Sequence, residues 1–416
     1  MIKNSTGKLK AAALLNSVTT CLIVALFSSA IIMLWYYNRV LVDTYNQEIE
    51  LIAENQYAAQ FFQASYGYNA DQNISEYKEV FENGIRSTYQ LKPWGVYNVL
   101  TVTSHSKRDS ISKSFLLGNT KKKNPKLGLY LVDNGKSLKY AGSTTLSENI
   151  AIPNANLSSH FIPKKRNMLK RPNKIIASTD KMPEIIIQEG PYDTNNDNTQ
   201  LLEEIISQGG VLVNSFQNKT IEVFVHTSEP IEDVVLKGNI ILTSKNEVVF
   251  GETAHIQDII IRAPDVRFLK NFEGNVQVIA TDNITLEDGA VLKYPSSIYT
   301  DVKEDSITIA LEGKSRLYGS LVMNSNSIIF GKKGHIYIDT DAAIMGDVFC
   351  YGVVDLRGRI YGSAYINSFQ HKTKTTNNDN LIVDAQIISD SIPKNYMRLP
   401  LIEDKEFIYH DIIKEL

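Results

Sequence analysis

Four aspartates, Asp339, Asp341, Asp347 and Asp355, fall close together beside Arg357 and Arg359. Glycoside hydrolysis needs two carboxylates a fixed distance apart, one working as acid and the other as base or nucleophile. A polysaccharide lyase would instead hold calcium on carboxylates beside a basic proton acceptor. Asp339 and Asp341 are two residues apart, so on a strand they share one face and can pair. Acidic residues on a β surface are mostly solvated, however, and the cluster reads as exterior; no catalytic residue is assigned.

A second oxygen-rich run, Asp193-Thr194-Asn195-Asn196-Asp197-Asn198-Thr199 followed by Glu204, supplies side-chain oxygens at positions 1, 3, 5, 7 and 12 of a calcium loop. The sixth-position glycine is missing and Pro191 prevents a regular entering helix, so a polar turn capping a helix over 200–207 is expected. Gly313-Lys314-Ser315 has the ending of a phosphate loop, but Thr308 stands where the earlier glycine belongs. Neither a Gly-x-Ser-x-Gly elbow nor an H-E-x-x-H helix occurs. No metal ligand and no cofactor is expected.

The third group is basic: Lys164, Lys165, Arg166, Lys170, Arg171 and Lys174, with Lys121, Lys122 and Lys123 before it. The net charge of −3 conceals the imbalance: residues 107–181 hold 16 Lys and Arg against 4 Asp and Glu, and residues 182–416 hold 20 against 34. The stretch reads as a solvated linker, or as a partner-binding patch that meets the acidic region of a neighbouring copy. It lacks the interleaved aromatics of nucleic-acid binders, and nucleic acid is not an expected partner.

These groups hang on a chain that begins with a membrane signature. Ala11 to Asn38 carries no charge over 28 positions, more than the roughly 20 needed to cross a bilayer. Lys3, Lys8 and Lys10 precede it; Asp43, Glu48, Glu50 and Glu54 follow Arg39. That bias places the amino terminus in the cytoplasm and exports the bulk, so the bacterial inner membrane and a periplasmic location are expected, with the membrane itself as a partner through residues 11–37. The small residues Ser28, Ser29 and Ala30 offer a cleavage site, but Ile31 to Trp35 prolong the run beyond a secretory segment, which favours a retained anchor. Two cysteines, Cys21 and Cys350, lie too far apart in context to suggest a disulfide.

Beyond the tail at 1–10 and the span at 11–37, Leu41, Tyr45, Ile49 and Ile52 keep a helical spacing, which predicts a juxtamembrane helix over 38–65, either a free stalk or a helix packed on the neighbouring domain. Residues 66–162 read as a small α+β domain. Trp94 to Val102 alternates as a strand, and Asp133-Asn134-Gly135-Lys136 predicts a hairpin between Leu127–Val132 and Leu138–Tyr140. Residues 163–209 read as a basic linker and short helix, 210–370 as stacked short strands, and 371–416 as a carboxy-terminal cap. In the stacked region an apolar-x-Gly-x-apolar motif recurs at Gly238, Gly274, Gly319, Gly346 and Gly362, the glycines expected at tight corners. Hence the expected fold is a single transmembrane helix plus a mainly β exported region: a small α+β domain followed by a right-handed parallel β-helix. A sandwich would need regular hairpins.

The segment Gly346-Asp347-Val348-Phe349-Cys350-Tyr351-Gly352 to Gly362 resembles the repeats of bactofilins, polymer-forming bacterial β-helix proteins, over some 130 to 150 residues. The layout as a whole is similar to uncharacterised single-pass membrane proteins of the Bacteroidota. The resemblance implies a noncatalytic, assembling fold; the anchor and export depart from it, so a cytoplasmic filament does not carry over. Gly7 with the run from Ala11 looks like a type IV pilin or pseudopilin, although Lys8 and Lys10 stand where an acidic residue is wanted. The leading expectation is a noncatalytic envelope protein that uses its β-helix for assembly, scaffolding or adhesion, with itself or other envelope proteins as partners. The alternatives are a membrane-tethered β-helix enzyme acting on polysaccharide and a pilin-like subunit of a secretion or fibre apparatus.

Overall fold

The computed structural model describes residues 6–66, 77–80, 85–107, 109–119, 127–185, 198–301, 307–324, 334–393, 395–398 and 410–416. One helix, α1, runs over Thr6–Tyr66, roughly 90 Å at 1.5 Å per residue. No proline occurs in it and no glycine after Gly7, so nothing breaks its ladder. Every residue from Ala13 to Glu50 is exposed, and among the described residues this is the helix long and apolar enough to cross a membrane. Its last turns behave differently. Leu51, Asn55, Ala58, Ala59 and Phe62 recur at helical spacing and are buried. They pack on Tyr89, Leu100, Val102, Phe115 and Leu117, so the helix is free only over its earlier turns and docked over 51–62.

The docking surface is an antiparallel sheet of Tyr77–Val80, Arg86–Trp94, Tyr97–His105, Ser110–Asn119 and His410–Glu415. Strand alternation sends Leu100, Val102 and Leu117 toward α1, while Trp94, Tyr97, Val99 and Leu116 pack against Ile241 and Ile260 on the other side. The sheet is thus buried on both faces.

All the rest of the described β structure except one short hairpin is parallel. The chain visits three strand columns in turn and returns to each after about 20 residues, as with Val248–Phe250, Val266–Phe268 and Ile284–Leu286. Inward residues then stack: Val223, Leu242, Ile261, Val278, Ile298 and Leu321 lie one beneath the next. β-Branched and γ-branched side chains at these positions fill a continuous buried core. Rings of Phe250, Phe268 and Phe272 stack within it, the last two with centroids 4.9 Å apart.

The column does not end where the sequence does. After Leu321 come Val348 and Ala364, and beneath Ala364 lie Leu129, Ile150 and Ile175. The expected hairpin at Asp133–Lys136 is therefore not formed. Leu127–Leu131 pairs with Ala364–Lys372 and Asn149–Ile152, while Leu138–Ala141 pairs with Leu381–Val383 and Leu157–Ser159. Asp133 Oδ1 accepts from Gly135 N, making a corner between columns rather than a reversal. The expected linker also contains strands, Met168–Lys170 and Lys174–Ala177, paired in parallel with Ser143–Leu146 and Asn149–Ile152. Nor do Ile382 and Ile387 cap an end: both are fully buried inside the stack because residues 127–177 continue below them. Finally, Thr199–Leu201 is a strand and only Leu202–Ser207 forms the helix (α2).

Candidate functional site

Asp339 and Asp341 do not share a strand face. The strand His335–Ile338 ends just before them, and both lie in the turn that leads to Ala343–Met345. Asp339 accepts backbone N–H groups from Thr340 at 2.7 Å and Gly313 at 3.2 Å and the hydroxyl of Tyr337 at 3.1 Å. Burial pushes its carboxyl upward, but these donors outweigh it and hold the group below the usual carboxylate range. Asp288 acts in the same way in the preceding turn, accepting from Lys314 N at 2.7 Å. The Gly313-Lys314-Ser315 sequence is thus a stacked corner, with Gly313 at φ +50°.

Asp355 and Asp347 are buried. Arg357 grips Asp355 with both Nε and Nη2, at 3.2 and 2.8 Å, and lies over the Tyr337 ring at 5.2 Å. His371 Nδ1 is 3.6 Å from Asp355 Oδ1. Burial raises the Asp355 carboxyl; His371 and the guanidinium outweigh it, and the net shift is downward. Nearby His335 is pushed below its ordinary value by burial. Asp347 accepts from Ser363 N at 2.8 Å and from Arg398 Nη1 at 3.1 Å, which pins residues 395–398 to the stack. Arg359 pairs in parallel with Ala343 above it and Gln386 beneath it, and its neighbour Ile360 is the one that faces the core. The cluster expected from the sequence therefore resolves into separate structural contacts at corners and seams.

The five motif glycines fall into two groups. Gly238, Gly319 and Gly346 have φ of +94°, +151° and +151°, whereas Gly274 and Gly362 do not enter the positive region. Close approach is the more general reason for glycine here. A Cβ on Gly319 would stand 1.6 Å from Ser296 O, on Gly346 1.9 Å from Gly319 O, and on Gly362 2.0 Å from Gly346 O. These residues form a column in which each backbone presses on the next.

Lys170 and Lys174 lie on the last strands of the stack and Arg171 between them; Lys164, Lys165 and Arg166 occupy the loop that enters these strands. Lys165 pairs with Asp384, and the rest of the patch is exposed. The basic stretch is thus the surface of one end of the stack. The opposite end is Thr199–Leu201 and α2, with Glu203 and Glu204 exposed. Glu203 Oε1 also accepts from His226 N and Thr227 N. Of the calcium-like run, residues 193–197 fall outside the described residues, as do Lys121, Lys122 and Lys123. Among the described residues no three His, Cys, Asp or Glu converge to hold a metal ion. Cys21 and Cys350 are free, and burial pushes the Cys350 thiol up to about 12.

Sequence reasoning missed the seam between the sheet and the stack. Gln277 Nε2 donates to Trp94 O at 3.0 Å and its Oε1 accepts from Val96 N at 2.9 Å, while Lys414 Nζ reaches both oxygens of Asp258 at 2.7 and 2.6 Å. Tyr396 and Tyr294 rings lie 4.3 Å apart, and Tyr97 Oη donates to Ser296 O at 3.2 Å. A polar Gln277 inside the apolar strand Glu273–Ala280 was the one local signal. Beside the seam an open groove of about 400 Å³ is lined by Lys237, His255, Glu273, Lys293, Tyr294 and Lys414 among others.

No protein-family model matches this chain, and no curated protein does. Among solved structures, the competence-associated pilin ComZ from Thermus thermophilus is similar at 9% identity and a TM-score of 0.20, over 88% of this chain and 96% of that one. So low a score carries no conclusion about fold or role.

Proposed function

We propose that this chain is a noncatalytic, single-pass protein of the bacterial envelope, anchored by the apolar stretch of α1 with the bulk exported to the periplasm. Its parallel columns wind as a right-handed β-helix, a rigid scaffold for assembly or adhesion. The observation that carries the reading is the engagement of the acidic groups. Asp339, Asp347 and Asp355 accept backbone N–H groups or arginine within the stack, so the side chains best suited to chemistry hold the architecture instead. A surface so determined from within suits presentation of a fixed face.

Topology is tested in a Cys21→Ser background with Ser5→Cys and Lys245→Cys variants and an impermeant thiol reagent applied outside the inner membrane. Lys245→Cys, on an exposed turn, labels and Ser5→Cys does not; the reverse pattern overturns the exported reading. The noncatalytic reading is tested by Asp341→Asn. Function in the cell survives it, and loss of function at an unchanged melting temperature counts against a scaffold.

A further inference from the structure

We infer that the basic end of the stack is the membrane-distal tip of the molecule and takes an extended acidic segment of another polypeptide as one further strand, laid in parallel along Lys174–Ala177. This rests on the anchored, exported reading above and names the surface and the chemistry of its partner.

The direction of α1 fixes which end is distal. Asn55 Nδ2 donates to Val102 O and Ile111 O, whereas Gln63, further along the same helix, donates to Asp411, which pairs with Gly118. The strand Ser110–Asn119 spans the stack between those points. Ser112 O accepts from Gln217, in the turn that leads into Ile221–Val225 at the α2 end. Asn119 O accepts from Arg398 N, and Arg398 reaches Asp347 several rungs on. As its numbering rises, α1 therefore advances from the α2 end toward the basic end, and its exposed apolar turns lead back past the α2 end. The column that starts at Val223 ends at Ile175, roughly 50 Å away at about 4.8 Å per strand. A Debye length is about 8 Å at physiological salt, so the headgroups around the anchor lie beyond the tip's electrostatic reach.

The tip is an unfinished layer. Lys174–Ala177, Met168–Lys170 and Leu157–Ser159 each end a column and each pair with one strand among the described residues. Leu157, Leu169 and Ile175 face the core yet are only half-buried, whereas Leu129 and Ile150 beneath them are fully buried. Phe161, Met168 and Ile176 are 79%, 59% and 39% exposed. A further strand would supply ladder hydrogen bonds along Lys174–Ala177 and set an apolar side chain on Ile175. A glycan or a lipid headgroup supplies no such ladder. Charge sets the remaining positions: residues 160–181 hold seven Lys and Arg against Asp180 alone. Two such tips repel, and a segment that alternates apolar residues with Glu or Asp complements both the ladder and the charge.

The full chain in detergent, with Cys21→Ser, is titrated with a fluorescent peptide of about ten residues that alternates valine and glutamate, one strand in length. Saturable binding by anisotropy is expected, weakened about tenfold in about 0.5 M salt, where the Debye length is about 4 Å. The same peptide with lysine for glutamate, or with methyl groups on alternate backbone nitrogens, should not bind. Lys170→Glu, Arg171→Glu and Lys174→Glu together abolish binding. Circular dichroism and the melting temperature verify folding, and Arg171→Gln gives a smaller loss if the triple change does not fold. With one cysteine in the peptide, Ile176→Cys cross-links to it and Lys245→Cys does not, since adjacent strands lie about 4.8 Å apart, within disulfide reach. In lipid nanodiscs, energy transfer to an acceptor among the headgroups is stronger from a dye on Val213→Cys, at the α2 end, than from one on Ile176→Cys.

Equal binding of the parent and the methylated peptide, or indifference to the triple reversal, overturns strand addition. Dimers from Ile176→Cys without peptide mean that two tips meet, and overturn the partner. No peptide binding together with reversal-sensitive binding to phosphatidylglycerol vesicles assigns the tip to a lipid surface instead. Each of these leaves anchoring and export standing, because those are read by thiol labelling at Ser5→Cys and Lys245→Cys. Equal or reversed energy transfer overturns the distal placement.

Discussion

The antiparallel sheet and the parallel stack solve the same burial problem by different means. In the sheet, Leu100, Val102 and Leu117 meet Phe62 and Ala58 of α1, so specificity resides in side chains that touch an unlike element. In the stack, Ile, Leu and Val meet their own counterparts from the next turn, and what fixes the spacing is backbone on backbone at Gly319, Gly346 and Gly362. The sheet depends on a partner it must find; the stack carries its partner forward every 20 residues or so. Among the described residues, polar contacts through Gln277, Asp258, Tyr97 and Gln217 join the two, and Asp347 holds residues 395–398 beside them.

The largest expected effect breaks the stack alone. Gly346→Val sets a Cβ against the carbonyl of Gly319, with no flexible side chain to give way, and should cost at least about 4 kcal/mol in denaturant unfolding of the solubilised chain. Arg398→Ala strikes the joint. It leaves the fully buried Asp347 carboxylate without its guanidinium, a loss on the order of 3–5 kcal/mol, and protease should then cut earlier near residues 395–398. Asn55→Ala strikes the sheet and α1. Its Nδ2 donates to Val102 O at 2.9 Å and Ser104 Oγ at 3.1 Å, so about 1–3 kcal/mol and faster amide exchange at Val102 to Ser104 are expected, with the stack's exchange unchanged.

The smallest effect is read from pH. The folded state holds His335 below its ordinary value by burial, so the unfolded chain binds the proton first and stability falls as pH drops below about 6.5. His335→Gln should flatten that limb. The depressed Asp355 and Asp339 contribute stability that is complete above their unfolded values near 4 and disappears only at more acid pH. A second, lower limb should therefore remain in the His335 variant.

Much of this was legible locally. The uncharged run and the 3.6-residue spacing before Phe62 each report a short-range requirement and each lies in a helix as implied. The alternation read as one strand over Trp94–Val102 is instead broken by a hairpin turn at Gly95–Val96, with Trp94 paired to Tyr97, and Gly274 and Gly319 of the apolar-x-Gly-x-apolar motif lie within strands rather than at corners. What was hidden is the order of pairing. Nothing within Leu127–Leu131 says that it will lie beside Ala364 rather than fold back on Leu138, because both partners offer the same apolar alternation. The aspartates misled for a related reason: spacing two apart means a shared face only on a strand, and Asp339 and Asp341 occupy a turn.

That order of pairing sets a timetable for biogenesis. A chain made from its amino terminus completes residues 127–177 before the rungs on which they rest, since their neighbours lie at 364–387. At 5–20 residues per second, the interval between Ala177 and Ala364 is roughly 10 to 40 s. For that time the basic segment is newly made β surface without its platform, and the growing stack builds toward it from the far end. The last rung to be seated is among the first to be synthesised.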